Sequence, residues 1–199
     1  MEKSHFFALA SRLKYIQRWG LMRNTTKENV QEHSAQVAMV AHGLALIGNA
    51  FHNRHYDANL ATVVALYHDI EEIYTGDIPT PVKQTSPEAN TIHKHIAEAA
   101  RERLLSILPS RLRNDYAALI HPESNASVFA LVKAADKICA LIKCLEELNS
   151  GNHEFHSAHD QIKTELNELA TTLPEINTFL ALYLDSFSQT LDQLQKPAD

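Results

Sequence analysis

The chain has 199 residues, a length that leans toward one domain, and its 45% hydrophobic share can build a core, which excludes a wholly disordered chain. Five glycines and seven prolines, about half the usual share, disfavour the turn-rich sandwiches, barrels and Rossmann folds. Two cysteines exclude a disulfide framework or a cysteine-based zinc site, and a formal net charge of −6 argues against a binder of nucleic-acid polymers.

The punctuation along the chain predicts helices. Ser4 caps a first one carrying Phe6, Phe7, Leu9, Leu13 and Ile16, which runs out near Trp19 and Gly20. A polar loop over 23–28 leads to a second helix over 30–49, with Val37, Val40, Leu44 and Ile47 at steps of three and four. Asp57 caps a third, whose Leu60, Val63, Val64, Leu66, Tyr67, Ile70 and Ile73 leave few exposed positions. Two prolines and a glycine make 75–81 a loop. Ser86 and Pro87 start a fourth helix to about 108, and a short fifth covers 112–120. Ser127 caps the sixth and most hydrophobic, which stops at 149–151. Two polar amphipathic helices follow, over 157–172 and 174–195. The expectation is one all-α domain over 1–199, with the third and sixth helices central. The apolar stretch 37–47 falls short of the roughly 20 residues that span a bilayer, and no leader or lipidation signal is legible. We therefore expect a soluble, cytoplasmic protein that uses no membrane.

The informative residues break the helical pattern. His33 lies in line with Val37, Val40 and Leu44, and His68 with Ala61 and Val64, so both face inward. Asp69 follows at once, and Asp136 sits beside Val132 and Cys139 on the most buried helix. One such His is usually a hydrogen-bonded core residue, and one such Asp is usually paired. Two of each on three helices can instead close around a divalent cation, which neutralises both carboxylates and satisfies both imidazoles. On a helix His68 and Asp69 lie only about 100° apart, so both can reach one ion.

His33, then His68-Asp69, then Asp136 form a pattern that resembles the HD superfamily of metal-dependent phosphohydrolases. Arg18-Trp19, Glu32-His33-Ser34, His68-Asp69-Ile70-Glu71-Glu72 and the run Gly76-Asp77-Ile78-Pro79-Thr80-Pro81-Val82-Lys83 extend the likeness to the bacterial 5′-deoxynucleotidase branch. So does the segment 141–148 after the last Asp. The resemblance covers nearly the whole chain. It implies an all-α HD-domain helical bundle, a homodimer, and hydrolysis of deoxyribonucleoside 5′-monophosphates to nucleoside and phosphate.

Within that resemblance His33, His68, Asp69 and Asp136 hold one divalent ion, and cobalt, manganese, zinc, iron and magnesium cannot be ranked from the ligands. Glu72, four residues after His68, orients and deprotonates the attacking water. Glu71 points elsewhere, as an exposed Glu pairing with a lysine. Asp77 protonates the leaving 5′-oxygen or positions the proton donor. Arg18 holds the phosphate, and Trp19 packs against the sugar where a 2′-hydroxyl would lie. Lys83 and Lys137 are further phosphate contacts, although Lys137 is equally a surface neighbour of Asp136. The other histidines, among them His93, His95, His121, His153, His156 and His159, show no convergent spacing, which leaves a mononuclear site. Two alternatives stay open: an HD phosphohydrolase of another nucleotide (a triphosphate, a cyclic nucleotide or guanosine tetraphosphate), and a non-catalytic nucleotide sensor.

Overall fold

The structure, a computed structural model, describes residues 2–121 and 125–197. Among them every named element is helical, and the one β-type pairing is a bridge between Gln17 and Asn29. The first helix is shorter than expected. Ser4 Oγ accepts the Phe6 amide and donates to the Ile107 carbonyl, so it ties down the N-terminus rather than capping a long helix. Helix α1 covers Phe6–Ala10 and tightens into a 3₁₀ turn over Ser11–Tyr15. Beyond it the chain is extended, because Val30 N–H donates to Ile16 and Arg18 N–H to Glu28.

Helix α2 (Val30–Phe51) is capped by Asn29, whose side chain accepts the Glu32 amide. Among the described residues only α2 is long and apolar enough to cross a membrane, and half of its most apolar window is buried within the fold. Helix α3 (Ala58–Tyr67) begins at Asp57 as expected and ends earlier than its sequence suggests. Residues 68–71 form a turn closed by bonds of 3₁₀ spacing, Ile70 N–H to Tyr67 and Glu72 N–H to Asp69. Two single-turn helices, α4 (Glu72–Thr75) and α5 (Thr80–Lys83), flank Gly76–Pro79. Gly76 has φ +69°, a conformation glycine adopts without strain. Pro81 is tolerated in α5 because a first helical turn has no intrahelical partner for its missing N–H.

Helices α6 (Pro87–Ser106) and α7 (Arg113–Ile120) follow the expected bounds within two residues. In α8 (Ala126–Asn149) the cap is Asn125 rather than Ser127: its side chain accepts the Val128 amide, while Ser127 Oγ donates to Asn125. Helix α9 (His156–Ala170) matches the expectation. The last stretch breaks into α10 (Glu175–Tyr183), a 3₁₀ turn and α11 (Leu191–Leu194).

The larger core is built on α2 and α8, whose Val37, Leu44, Leu131, Ile138 and Ile142 are essentially inaccessible; each such side chain contributes about 1.5–3 kcal/mol. Helix α3 is less central than its sequence suggests, since Val63 and Leu66 on it are exposed. A second cluster joins Phe6, Ile70, Leu104, Leu105, Leu108 and Ile120. The turn 68–71 runs between the two, with Ala65 in the first and Ile70 in the second. That passage sets the position of His68 and Asp69.

Candidate metal centre and substrate cleft

His33 projects from the first turn of α2 with its imidazole fully buried, and its Nε2 lies 2.9 Å from Asp136 Oδ1 on α8. His68 does not sit on a continuing helix; the tight turn after α3 presents it beside Asp69. His68 Nδ1 donates to the Ala65 carbonyl at 2.7 Å, which leaves Nε2 as a free nitrogen donor. That Nε2 is buried with no hydrogen-bond partner, although Asp69 Oδ2 lies 3.0 Å away. Asp69 Oδ2 is also 3.9 Å from His33 Nε2. One ligand atom each from His33, His68 and Asp136 falls within 4.8 Å of the others. Two imidazole nitrogens and the Asp136 carboxylate in one cluster, with Asp69 against both imidazoles and a buried nitrogen left unpartnered, fit a divalent cation.

The potential there is negative. Burial opposes charging His68, yet the Asp69 carboxylate wins and lifts the imidazole to about 9. His33 is raised in the same way, against burial, by its bond to Asp136 and by the nearby Glu28 carboxylate. Burial, Asp69 and Asp77 together push Glu72 up to about 10. Burial also raises Asp77, against the pull of Arg18 and Lys83. Arg18 is the single guanidinium among these groups, 3.5 Å from Asp69 and 3.9 Å from Asp136.

Glu72 is buried at the start of α4, and its Oε2 has no partner. Glu71 does point elsewhere, but it is buried rather than exposed: Arg101 on α6 pairs with it at 2.8 Å and locks the turn to that helix. A cleft of about 380 Å³ opens beside the cluster, lined by Arg18, Trp19, Asp77 and Asp136. Its volume is near the lower end of ligand clefts, which run roughly 300–1,000 Å³. Lys137 lines the cleft but is neutralised by Glu165, and Lys83 does not line it.

Trp19 is not held at a helix end, as its sequence position suggests. It lies in the loop after the extended segment with φ +60°, a strained value for a non-glycine residue. Its ring packs on Phe155 at 5.3 Å. Its indole N–H donates to Glu28 at 2.9 Å, and the same carboxylate oxygen accepts from Arg18 Nε at 3.2 Å. Glu28 has no distinguishing signal in the sequence, where it is one charge in a polar loop. Lys143 and Glu147 are likewise unmarked, yet Glu147 accepts the amides of Thr25 and Thr26 and so fastens that loop to α8. Of the other histidines, His121 comes within 3.5 Å of Glu98 and 3.2 Å of Glu102 on α6, a grouping that spacing alone did not show.

The fold is that of HD-domain phosphohydrolases of known structure. A Listeria innocua HD-domain phosphohydrolase of known structure superposes with a TM-score of 0.81 over 92% of this chain and 88% of its own, at 22% identity. A cyanophage S-2L HD phosphohydrolase, solved with dA and one catalytic Zn²⁺ ion, superposes with a TM-score of 0.62 over 97% of this chain and 99% of its own, at 19% identity. At sequence level the match is more specific. The 5′-deoxynucleotidase YfbR-like family model covers residues 5–187. A 5′-deoxynucleotidase of Vibrio vulnificus is 47% identical over 195 residues, 98% of this chain and all of the relative. The chain belongs to the YfbR-like 5′-deoxynucleotidase family.

Proposed function

We propose that the protein is a metal-dependent phosphomonoesterase that hydrolyses deoxyribonucleoside 5′-monophosphates to deoxyribonucleoside and phosphate. The observation that carries this reading is the clustering of His33, His68 and Asp136, with Asp69 against both imidazoles, beside a cleft that Arg18, Trp19 and Asp77 share. When bound by those four residues, a divalent ion supplies Lewis acidity, offsetting phosphoryl charge and lowering the pKa of an attacking water.

The remaining work falls to the chain's own groups. Arg18 is held by Glu28 through Nε, so its terminal nitrogens are directed toward Asp69, Asp136 and the cleft, where they donate to the phosphate oxygens. Glu72 takes a proton from the water as it attacks phosphorus; the P–O5′ bond breaks, and Asp77 delivers a proton to the departing 5′-oxygen. Burial with Asp69 and Asp77 favours a protonated Glu72, and a cation held by the neighbouring ligands would offset that negative charge and favour the carboxylate that accepts the proton, whereas the upward shift of Asp77 suits a proton donor. The indole of Trp19, tethered at its nitrogen and braced by Phe155, occupies the sugar side of the cleft and excludes a 2′-hydroxyl. The neutralised Lys137 leaves the cleft short of cations for a triphosphate, which favours the monophosphate over the other nucleotides.

In the same reading the working unit is a homodimer. Exposed Met39, Leu46 and Phe51 on α2 form an apolar groove with Tyr183 that a second copy would cover. The two free, buried cysteines suit a reducing cytoplasm. The test is phosphate release from matched ribo- and deoxyribonucleoside 5′- and 3′-monophosphates, with and without chelator. Activity confined to deoxy 5′-monophosphates and abolished by chelator is expected. Equal rates on AMP and dAMP would reduce the assignment to a general HD phosphohydrolase.

A further inference from the structure

Glu28 reaches three parts of the site without lining the cleft itself. Its backbone is registered against Arg18, whose N–H donates to the Glu28 carbonyl at 2.9 Å, and the bridge between Gln17 and Asn29 fixes the alignment. Its side chain, 13% exposed, then divides its two oxygens. Oε2 accepts from Arg18 Nε at 3.2 Å and from Trp19 Nε1 at 2.9 Å. Oε1 faces His33 Nδ1 at 3.6 Å, and that buried nitrogen has no hydrogen-bond partner. One carboxylate therefore orients the phosphate-binding guanidinium, pins the indole plane, and faces the far side of a metal-ligand imidazole.

We propose that Glu28 is a positioning residue that couples sugar discrimination by Trp19 to phosphate binding by Arg18 and to the donor orientation of His33; this rests on the deoxynucleotidase reading above. The three neighbouring groups all present N–H donors to it when His33 offers Nε2 to a cation. A carboxylate accepts on both oxygens, whereas an amide of the same shape accepts on one and donates on the other. Glu28→Gln must therefore set an NH₂ against either His33 or the Arg18–Trp19 pair.

The experiment compares wild type, Glu28→Ala, Glu28→Gln, Trp19→Ala and the Glu28→Ala/Trp19→Ala double variant. It measures kcat and KM on dAMP and AMP, and Mn²⁺ affinity by equilibrium dialysis. Glu28→Ala should raise KM for dAMP about tenfold or more, the scale of losing hydrogen bonds to charged groups. It should also lower the dAMP-to-AMP preference several-fold, and the double variant should lose no more preference than Trp19→Ala alone, because the two act as one unit. Glu28→Gln, which preserves volume, should weaken Mn²⁺ binding or raise KM by about tenfold, since loss of a ligand's hydrogen-bond partner typically costs 10–100-fold in metal affinity. A purely structural role would lower activity with the folded fraction while leaving KM, sugar preference and Mn²⁺ affinity unchanged, and that result overturns the proposal. Additive losses of sugar preference in the double variant also overturn it. Should Glu28→Ala not fold, Glu28→Gln carries the test. A wild type without sugar preference sinks the deoxynucleotidase reading, while KM and Mn²⁺ affinity still decide the role of Glu28.

Discussion

Helix α8 carries two charged clusters along one face, at Asp136 and, seven and eleven residues on, at Lys143 and Glu147. They solve the problem of burying charge in opposite ways. Around Glu147, at 1% exposure, both carboxylate oxygens are filled: by Thr25 N–H and Oγ–H, Thr26 N–H, Asn152 and Lys143. Lys143 also donates to the Thr26 carbonyl and stacks over Phe155. The pair is neutral and complete. Around Asp136 five carboxyl groups, Glu28, Asp69, Glu72, Asp77 and Asp136, act on one guanidinium, and His33 Nδ1, His68 Nε2 and Glu72 Oε2 have no hydrogen-bond partner. A satisfied neutral network serves to hold a loop in place. An anionic excess with unfilled donors and acceptors has a cost that the fold keeps only where a cation and a substrate complete it.

Breaking the incomplete cluster should have the largest effect. Asp136→Ala removes a proposed ligand and should abolish phosphatase activity. The thermal upshift that saturating Mn²⁺ gives wild type, about 2.7 kcal/mol at a hundredfold excess over Kd, should disappear with it. Intact metal content and activity in that variant would show that Asp136 is no ligand.

Next in size is Glu72. Glu72→Gln should bind metal and nucleotide normally yet lose roughly 10²–10⁴-fold in turnover, the usual contribution of a general base; a loss under about tenfold would return Glu72 to a structural role. The same variant sharpens the contrast through pH. Because the folded-state carboxyl is raised from 4.5 to about 10, the metal-free native state holds a proton that the unfolded chain releases. Stability from Glu72 is therefore fully present below about 4.5 and lost as pH rises toward 10. Denaturant melts in chelator should show Glu72→Gln gaining on wild type steadily across that window.

The complete cluster should break differently. Glu147→Ala strands the buried Lys143 charge and the loop amides, and should destabilise by about 3–5 kcal/mol. Metal affinity per folded molecule should stay unchanged. Burial works against ionising Glu147, but Lys143, Asn152 and Thr25 outweigh it and hold the group below its ordinary 4.5. Its contribution is present above that value and fades as pH falls below it, so the urea midpoints of wild type and Glu147→Gln should converge in acid.

The smallest effect expected is in specificity. Trp19→Ala should raise activity on ribonucleoside relative to deoxyribonucleoside monophosphates, by up to about 10²-fold for steric exclusion of one hydroxyl. An unchanged ratio, measured in competition between AMP and dAMP, would remove Trp19 as the selector.

Local chemistry made much of this visible in the sequence. His33 and Asp136 could be picked out because they sit in register with Val37, Leu44, Val132 and Cys139, so helical periodicity alone turns them inward. Asp57, Ser86 and Gly76 mark their boundaries by side-chain capping and backbone freedom, which depend on neighbours a few residues away. The break after Tyr67 was hidden, since Ile70 and Ile73 continue the helical pattern. What ends the helix is docking of Ile70 into the second cluster with Phe6 and Leu104, far away along the chain. The central place of α2 rather than α3 was hidden for the same reason: periodicity ranks apolar faces but does not say which face is covered.

By itself, then, the sequence determined the helical class, most helix starts and which polar groups turn inward, because capping and amphipathic periodicity act over a few residues. Only the tertiary structure decided that Glu28 joins Arg18, Trp19 and His33, that Glu147 clasps a loop 122 residues away, and that Glu71 is locked by Arg101. A glutamate reads the same in any polar loop or helix. Its role is set by the donors that folding brings to its two oxygens, and those come from distant segments of the chain.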